Sequence, residues 1–169
     1  MFVIISGCSG GGKSTLIAEL ARRGQGVVEE PARCILAEDK RRDGNALPLA
    51  NAQAFARRTL AMSIADHKEA RGLTFFDRGI VDAAVAMTAS GDERPAQEIA
   101  SYRYDLVVLA PPWPEIYEND EDRRHSFEKA LRDYERVRSA YVSAGYAPIV
   151  LPRASVADRA DFLLTKALG

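Results

Sequence analysis

Short apolar runs alternate with amphipathic stretches along this chain. Phe2 to Ser6 is an apolar, β-branched run ended by Gly7, the pattern of a buried strand. Lys13 to Arg23 has helical spacing, with Leu16, Ile17 and Leu20 as its stripe and Gly24 as its stop. Val27 to Glu30 reads as a second strand, ended by Pro31. Residues 38–48 run Glu-Asp-Lys-Arg-Arg-Asp-Gly-Asn-Ala-Leu-Pro, which predicts a polar, mobile loop. Residues 49–70 are Ala-rich and predict a helix anchored by Phe55, Met62 and Ile64. Leu73 to Phe76 predicts a third strand, closed by Asp77-Arg78-Gly79, and a helix over 79–89 carries Ile80, Val81, Ala84 and Val85. Pro95 is placed to open a short helix. Leu106 to Ala110 predicts a fourth strand, closed by Pro111-Pro112. A long helix follows over about 120–144, where Phe127, Leu131, Tyr134, Val137 and Tyr141 recur at three- and four-residue steps. Pro148 to Leu151 is the fifth strand, and Ser155 caps a last helix running to Ala167.

Strands that are apolar throughout, rather than alternating, imply a sheet covered on both sides. The expected class is therefore α/β, a three-layer fold with a five-stranded parallel sheet and helices on both faces. No repeat or linker interrupts the pattern, so residues 1–169 are expected to form one domain, with a lid-like region at about 112–130. Ligands in such folds bind beyond the carboxyl ends of the strands. That rule directs attention to Gly7–Thr15, Glu29–Arg33, Asp77-Arg78, Pro111–Trp113 and Pro152-Arg153.

Composition narrows the class further. The chain has 169 residues, 47% hydrophobic, enough to exclude global disorder. Its 23 Lys and Arg against 24 Asp and Glu leave a net charge of -1, so no nucleic-acid or membrane-surface partner is expected. The mixed runs Asp39–Arg42 and Asp120–Arg124 read as solvated faces. Two cysteines, Cys8 and Cys34, make no disulfide framework. The start lacks a basic n-region and a long apolar core, so a cytoplasmic location is expected. His67 and His125 show no zinc-ligand spacing with the cysteines and read as surface residues.

Gly7-Cys8-Ser9-Gly10-Gly11-Gly12-Lys13-Ser14 matches G-x-x-x-x-G-K-[ST], the P-loop. Glycines let successive amides turn into one concavity, and the positive end of the next helix adds to it. A chance match is on the order of one per cent for a chain this long. Its position between an apolar strand and a helix makes chance rarer still. In this reading Gly7, Ser9, Gly10, Gly11, Gly12, Lys13, Ser14 and Thr15 bind nucleotide, with Lys13 on the β- and γ-phosphates and Ser14 on Mg²⁺. Cys8 is either an oxidisable thiol at a helix start or a small tolerated side chain.

Phosphoryl transfer also needs an acid near the metal and a group for the acceptor. Asp77, at a strand end, is the candidate for Mg²⁺ or for the acceptor's proton, against a plain helix cap. Arg78 either clamps a phosphate or acceptor or forms a surface ion pair. Glu30 is the first candidate for acceptor binding or general base and Glu29 the alternative, since register decides which faces inward. Arg33 pairs with that carboxylate or holds an acceptor phosphate. Arg123 and Arg124 either close over the transferring charge or pair with Asp120, Glu121 and Asp122. Trp113 reads mainly as a packing residue, and Arg153 is placed beside the adenine or ribose.

On these residues the chain resembles the small bacterial predicted ATPases that carry an AAA label over a kinase-like P-loop core. The resemblance spans nearly the full length. It rests on Gly7–Thr15, Glu29-Glu30 with Arg33, Phe75–Gly79, Ala110–Tyr117, Asn119-Asp120 with Arg123, and Gly145-Tyr146 with Leu151-Pro152. The wider group includes ribosylnicotinamide-kinase-like domains and nucleoside, nucleotide and shikimate kinases. The Glu30-Pro31-Ala32-Arg33 segment is similar to the acceptor-site Glu segment of deoxynucleoside kinases. The resemblance implies ATP with Mg²⁺ and phosphoryl transfer to a small molecule, a nucleoside or nucleotide, by a monomer or homodimer. The alternative is an ATPase or nucleotide switch acting on a protein partner. No Asn-Lys-x-Asp segment is present to read guanine, which disfavours a regulatory GTPase.

Overall fold

The computed structural model describes residues 1–43, 51–92, 100–116 and 127–169. Five parallel strands form one sheet in the order β2-β3-β1-β4-β5. They are β1 (Phe2–Gly7), β2 (Gly26–Val28), β3 (Thr74–Asp77), β4 (Leu106–Ala110) and β5 (Ile149–Val150). The described helices are α1 (Lys13–Arg22), α2 (Pro31–Asp43), α3 (Ala52–Glu69), α4 (Ile80–Ala89), α5 (Phe127–Ser143) and α6 (Val156–Leu168). The sheet is thus the parallel, doubly covered one that the apolar strands imply. The expected helix at Pro95, the 44–48 part of the expected loop and the 120–126 start of the expected long helix lie outside the described residues.

Alternation along the buried strands feeds two cores. Ile4, Phe76, Val107 and Leu109 point to one side, against α3, α4 and α5. Val3, Ile5, Phe75 and Val108 point to the other, against α1 and α6. β1 sits between β3 and β4, where the strand order reverses. The crevice above its carboxyl end is where parallel α/β sheets receive ligands.

Several elements differ from their sequence expectation. Residues 38–43 belong to α2 rather than to a loop. Pro31 suits a first helical turn, because its fixed φ fits and its missing N–H costs nothing there. The Glu30 carbonyl accepts the Arg33 and Cys34 amides and starts the helix. Ile35, 1% exposed, anchors it together with the buried Pro31, and Asp39 takes a two-pronged pair from Arg58 of α3 at 2.8 and 2.9 Å. A helix with so narrow an apolar stripe leaves little periodicity to read. In α3 the buried residues are Ala56, Thr59, Leu60 and Ser63, while Phe55, Met62 and Ile64 are only half-buried. In α5 Leu131 is exposed and Ala130 is buried, alongside the expected Tyr134, Val137 and Tyr141. β3 begins one residue later than expected and ends on Asp77 itself. His67 is half-buried, and His125 lies outside the described residues. His67 packs edge-on against Phe2, Tyr102 and Tyr104, and its Nε2 meets the Arg103 carbonyl at 2.9 Å.

Candidate active site

The phosphate loop leaves β1 through Gly7 at φ +105°, and Gly10 and Gly12 also have positive φ. At Gly7 a side chain is excluded on two counts. An L residue resists that φ, and its Cβ would overlap the Ala110 carbonyl oxygen of β4. The Cys8 amide donates to that same carbonyl at 2.9 Å, tying the loop to the sheet. Gly7→Ala should therefore lower stability by about 3 kcal/mol, read as a fall in thermal midpoint. A midpoint within a degree of the parent would show that the loop has room there.

Lys13 opens α1 and is 6% exposed, with its Nζ donating to the Cys8 carbonyl at 2.7 Å. Burial, together with the nearby Arg78, pulls its pKa down to about 8, although Asp77, Glu30 and Asp82 act the other way. Below pH 8 the empty site presents an ammonium to an anion. Above it the amine is neutral, so binding must first take up a proton. Affinity for ADP should then fall about tenfold for each pH unit above 8. A flat isothermal titration profile from pH 7 to 9.5 would contradict this.

Ser14 Oγ donates to Asp77 Oδ2 at 3.4 Å. Asp77 is 3% exposed, and its Oδ1 is buried without a hydrogen-bond partner. Burial raises its pKa, with Lys13 and Arg78 opposing and Glu30 adding. It does not cap α4, which leaves Gly79 at its N-cap. An unpartnered carboxylate oxygen beside a P-loop hydroxyl is a donor set of the hard, oxygen-only kind that Mg²⁺ takes. The residues therefore fit that ion.

The two glutamates lie in the turn between β2 and α2, which faces them differently. Glu29 is exposed, while the Glu30 side chain is 16% exposed and turned toward the loop. Glu30 accepts from Arg33 Nε at 2.8 Å and pairs with Arg78 Nε at 3.0 Å. Burial pushes its pKa up, but Arg78, Lys13 and Arg33 outweigh it and hold the carboxyl below its usual range. Arg78 is thus no surface pair. It has φ +66° and is held on its other side by Asp82 of α4 at 3.2 Å. The carboxylates around it outweigh burial and raise its pKa further.

One cavity of about 500 Å³ joins these parts. It is lined by Ser9, Gly10, Gly12, Lys13, Ser14 and Thr15 on the loop side. Across from them stand Glu30, Arg33 and Arg78, with Leu36, Ala37 and Lys40 of α2 completing the wall. Gly7 and Gly11 are not among its walls and pack against Ala110 of β4. Arg153 is not among its walls. It is exposed, and its Nη2 donates to the Pro112 carbonyl at 2.5 Å. Arg123 and Arg124 lie outside the described residues.

Cys8 is 1% exposed and burial raises its pKa, so the reading as a small packed side chain holds and the reactive-thiol reading does not. Among the described residues no cluster of three or more His, Cys, Asp or Glu is placed to hold a metal ion. No described helix is long and apolar enough to cross a membrane.

Sequence reasoning missed three groups. Leu36 and Ala37 fall in the unassigned stretch between the expected strand and the expected loop, and Lys40 falls in that loop. Asp82 is buried and accepts from Ser6 Oγ at 2.5 Å, Tyr141 OH at 2.6 Å and the Gly79 amide at 3.1 Å. Its position three residues past Gly79, at the start of a helix, was a usable signal. Arg159 of α6 is 3% exposed beneath the loop, and nothing in its local sequence marks it.

The fold recurs in solved kinases. Deoxyadenosine kinase from M. mycoides, with the products dCMP and a flexible dCDP bound, superposes with a TM-score of 0.65 at 15% identity, over 99% of this chain and 98% of that one. NadR protein in complex with NR gives a TM-score of 0.74 at 19% identity over 98% of this chain, which spans only 50% of NadR. Shikimate kinase from Acinetobacter baumannii, in complex with shikimate, gives 0.62 at 18% identity over 99% and 92%. Likenesses at these identities are likenesses of fold. No protein of curated function matches the sequence. The AAA domain family model matches residues 2–159, from the first strand into the last helix, and the chain belongs to that family, with the kinase-like P-loop fold its sequence suggested.

Proposed function

We propose that this protein is an ATP- and Mg²⁺-dependent phosphotransferase acting on a small molecule, a nucleoside or nucleotide. The observation that carries this reading is the single cavity running from the phosphate loop to Glu30, Arg33 and Lys40. A phosphoryl donor and a small acceptor would meet inside it, whereas a switch acting on a protein would need no walled acceptor space. The three superposable structures above hold dCMP as a product, NR, and shikimate, which supports a small polar acceptor.

In this mechanism the amides of Gly10–Ser14 and the Lys13 ammonium receive the β- and γ-phosphates. Ser14 and Asp77 would hold Mg²⁺, which when bound neutralises charge on the phosphates. Glu30 accepts a hydrogen bond from the acceptor hydroxyl and aims its oxygen at the γ-phosphorus. With its pKa held down it is a weak base, which suits a loose transition state where the proton leaves late. The hydroxyl proton passes late to Glu30, which lines the cavity, as the new P–O bond forms. Arg33 and Lys40 face the acceptor and would hold an anionic group on it. Arg78 fixes the Glu30 carboxylate from one side while Arg33 fixes it from the other.

The test is an ADP-release screen with nucleosides, nucleotides and vitamin precursors as acceptors. One acceptor class should raise ADP release well above the acceptor-free rate. Stimulation by none of them, with hydrolysis raised instead by a cell protein, would overturn the proposal in favour of the switch.

A further inference from the structure

A second buried cation lies behind the phosphate loop, on the side away from the cavity. Arg159 is 3% exposed, and its Nη1 donates to the Gly11 and Gly12 carbonyls, each at 3.3 Å. Its guanidinium lies 5.4 Å from the centre of the Trp113 ring. Among the described residues it forms no ion pair, and its buried Nε has no hydrogen-bond partner. An arginine withdrawn from water with no carboxylate beside it is strongly unfavourable, so in proteins such a charge is normally matched.

The geometry indicates what matches it. In a trans peptide the C=O and the next N–H point in opposite directions. Drawing the Gly11 and Gly12 carbonyls toward Arg159 therefore turns the Gly12 and Lys13 amides the other way, and both residues line the cavity. The fit is close. A Cβ at Gly12 would come within 2.7 Å of Arg159 Nη1, so that glycine serves the guanidinium as well as its own φ of +70°. Lys13 and Arg159 thus flank one thin layer of backbone, Lys13 on the cavity side and Arg159 behind it.

We propose that Arg159 is a positioning residue for polyphosphate binding. From behind the loop it orients the Gly12 and Lys13 amides and adds its charge to the anion site, and the bound phosphates supply a counter-charge that the described residues do not. This rests on the phosphate-loop reading above. It touches no phosphate itself.

The test compares wild type, Arg159→Met and Arg159→Lys by titration with ADP and with pyrophosphate, alongside the ligand-free thermal midpoint. Trp113, the only tryptophan, serves as the fluorescence reporter. Arg159→Met should bind both ligands about tenfold more weakly, the size expected for one unit charge acting through a partly wet site. Its ligand-free midpoint should be unchanged or higher, because an unmatched buried charge has gone. Arg159→Lys should recover most of the affinity. A residue that only packs would behave in the opposite way, with a lower midpoint and wild-type affinity, and that result overturns the inference. If Arg159→Met does not fold, Arg159→Gln makes the same comparison, and wild-type affinity in it is equally fatal. A wild-type chain that binds neither ADP nor pyrophosphate would instead overturn the phosphate-loop reading, and this inference with it.

Discussion

Lys13→Ala is expected to lower ATP turnover by at least about a thousandfold, the scale on which a preorganised cation at a transferring phosphoryl group acts. The reason lies in the burial of Lys13 as much as in its charge. An ammonium at 6% exposure is poorly screened, and its pKa near 8 reports how much hydration it has already lost. It is therefore ready to meet γ-phosphate charge without first shedding water. Alanine removes that charge but leaves the loop glycines and the α1 N-terminus intact, so ADP should still bind, more weakly. Steady-state ADP release and ADP titration separate the two effects. Turnover near the parent rate would show that the loop is not where the chemistry happens.

Glu30→Gln carries the next largest effect. Acceptor-dependent transfer should fall about a hundredfold, while ADP affinity changes by less than about threefold. The glutamine keeps the shape and can still take a hydrogen bond. It cannot neutralise Arg78 and Arg33, which lie 3.0 and 2.8 Å from the carboxylate. Two guanidiniums without their shared anion will repel each other and lose the geometry that aims the acceptor. The readout is kcat for transfer to the acceptor found in the screen, set against the ADP dissociation constant. Equal losses in both would mark Glu30 as a structural carboxylate that supports the whole crevice.

The contrast between these two residues mirrors how far each was legible in the sequence. Lys13 belongs to a contiguous segment whose function follows from local backbone geometry, so its spacing alone placed it. Glu30 and Glu29 are neighbours of the same type, and only the end of β2 and the start of α2 decide which of them turns inward. α2 itself was hidden. Glu38 to Asp43 carry no apolar period: the buried residues among those described in α2 are Pro31 and Ile35, at its start, and Asp39 is held by Arg58 of α3. That helix brings Leu36, Ala37 and Lys40 to the acceptor wall, so that part of the cavity had no signature to read.

What the sequence determined by itself was everything set by neighbours along the chain. That includes the buried strands, the parallel sheet their uniform apolarity demands, the phosphate loop with its lysine, and Asp77 at a strand end. Tertiary structure alone decided what depends on residues far apart in number. It put Arg78 between Glu30 and Asp82, and Tyr141 and Ser6 onto Asp82. It also set Arg159 behind Gly11 and Gly12, 147 positions away from the nearer one. The physical reason is that backbone preferences act over a few residues, whereas a buried charge is placed by whichever groups the packing of distant helices brings within a few ångströms of it.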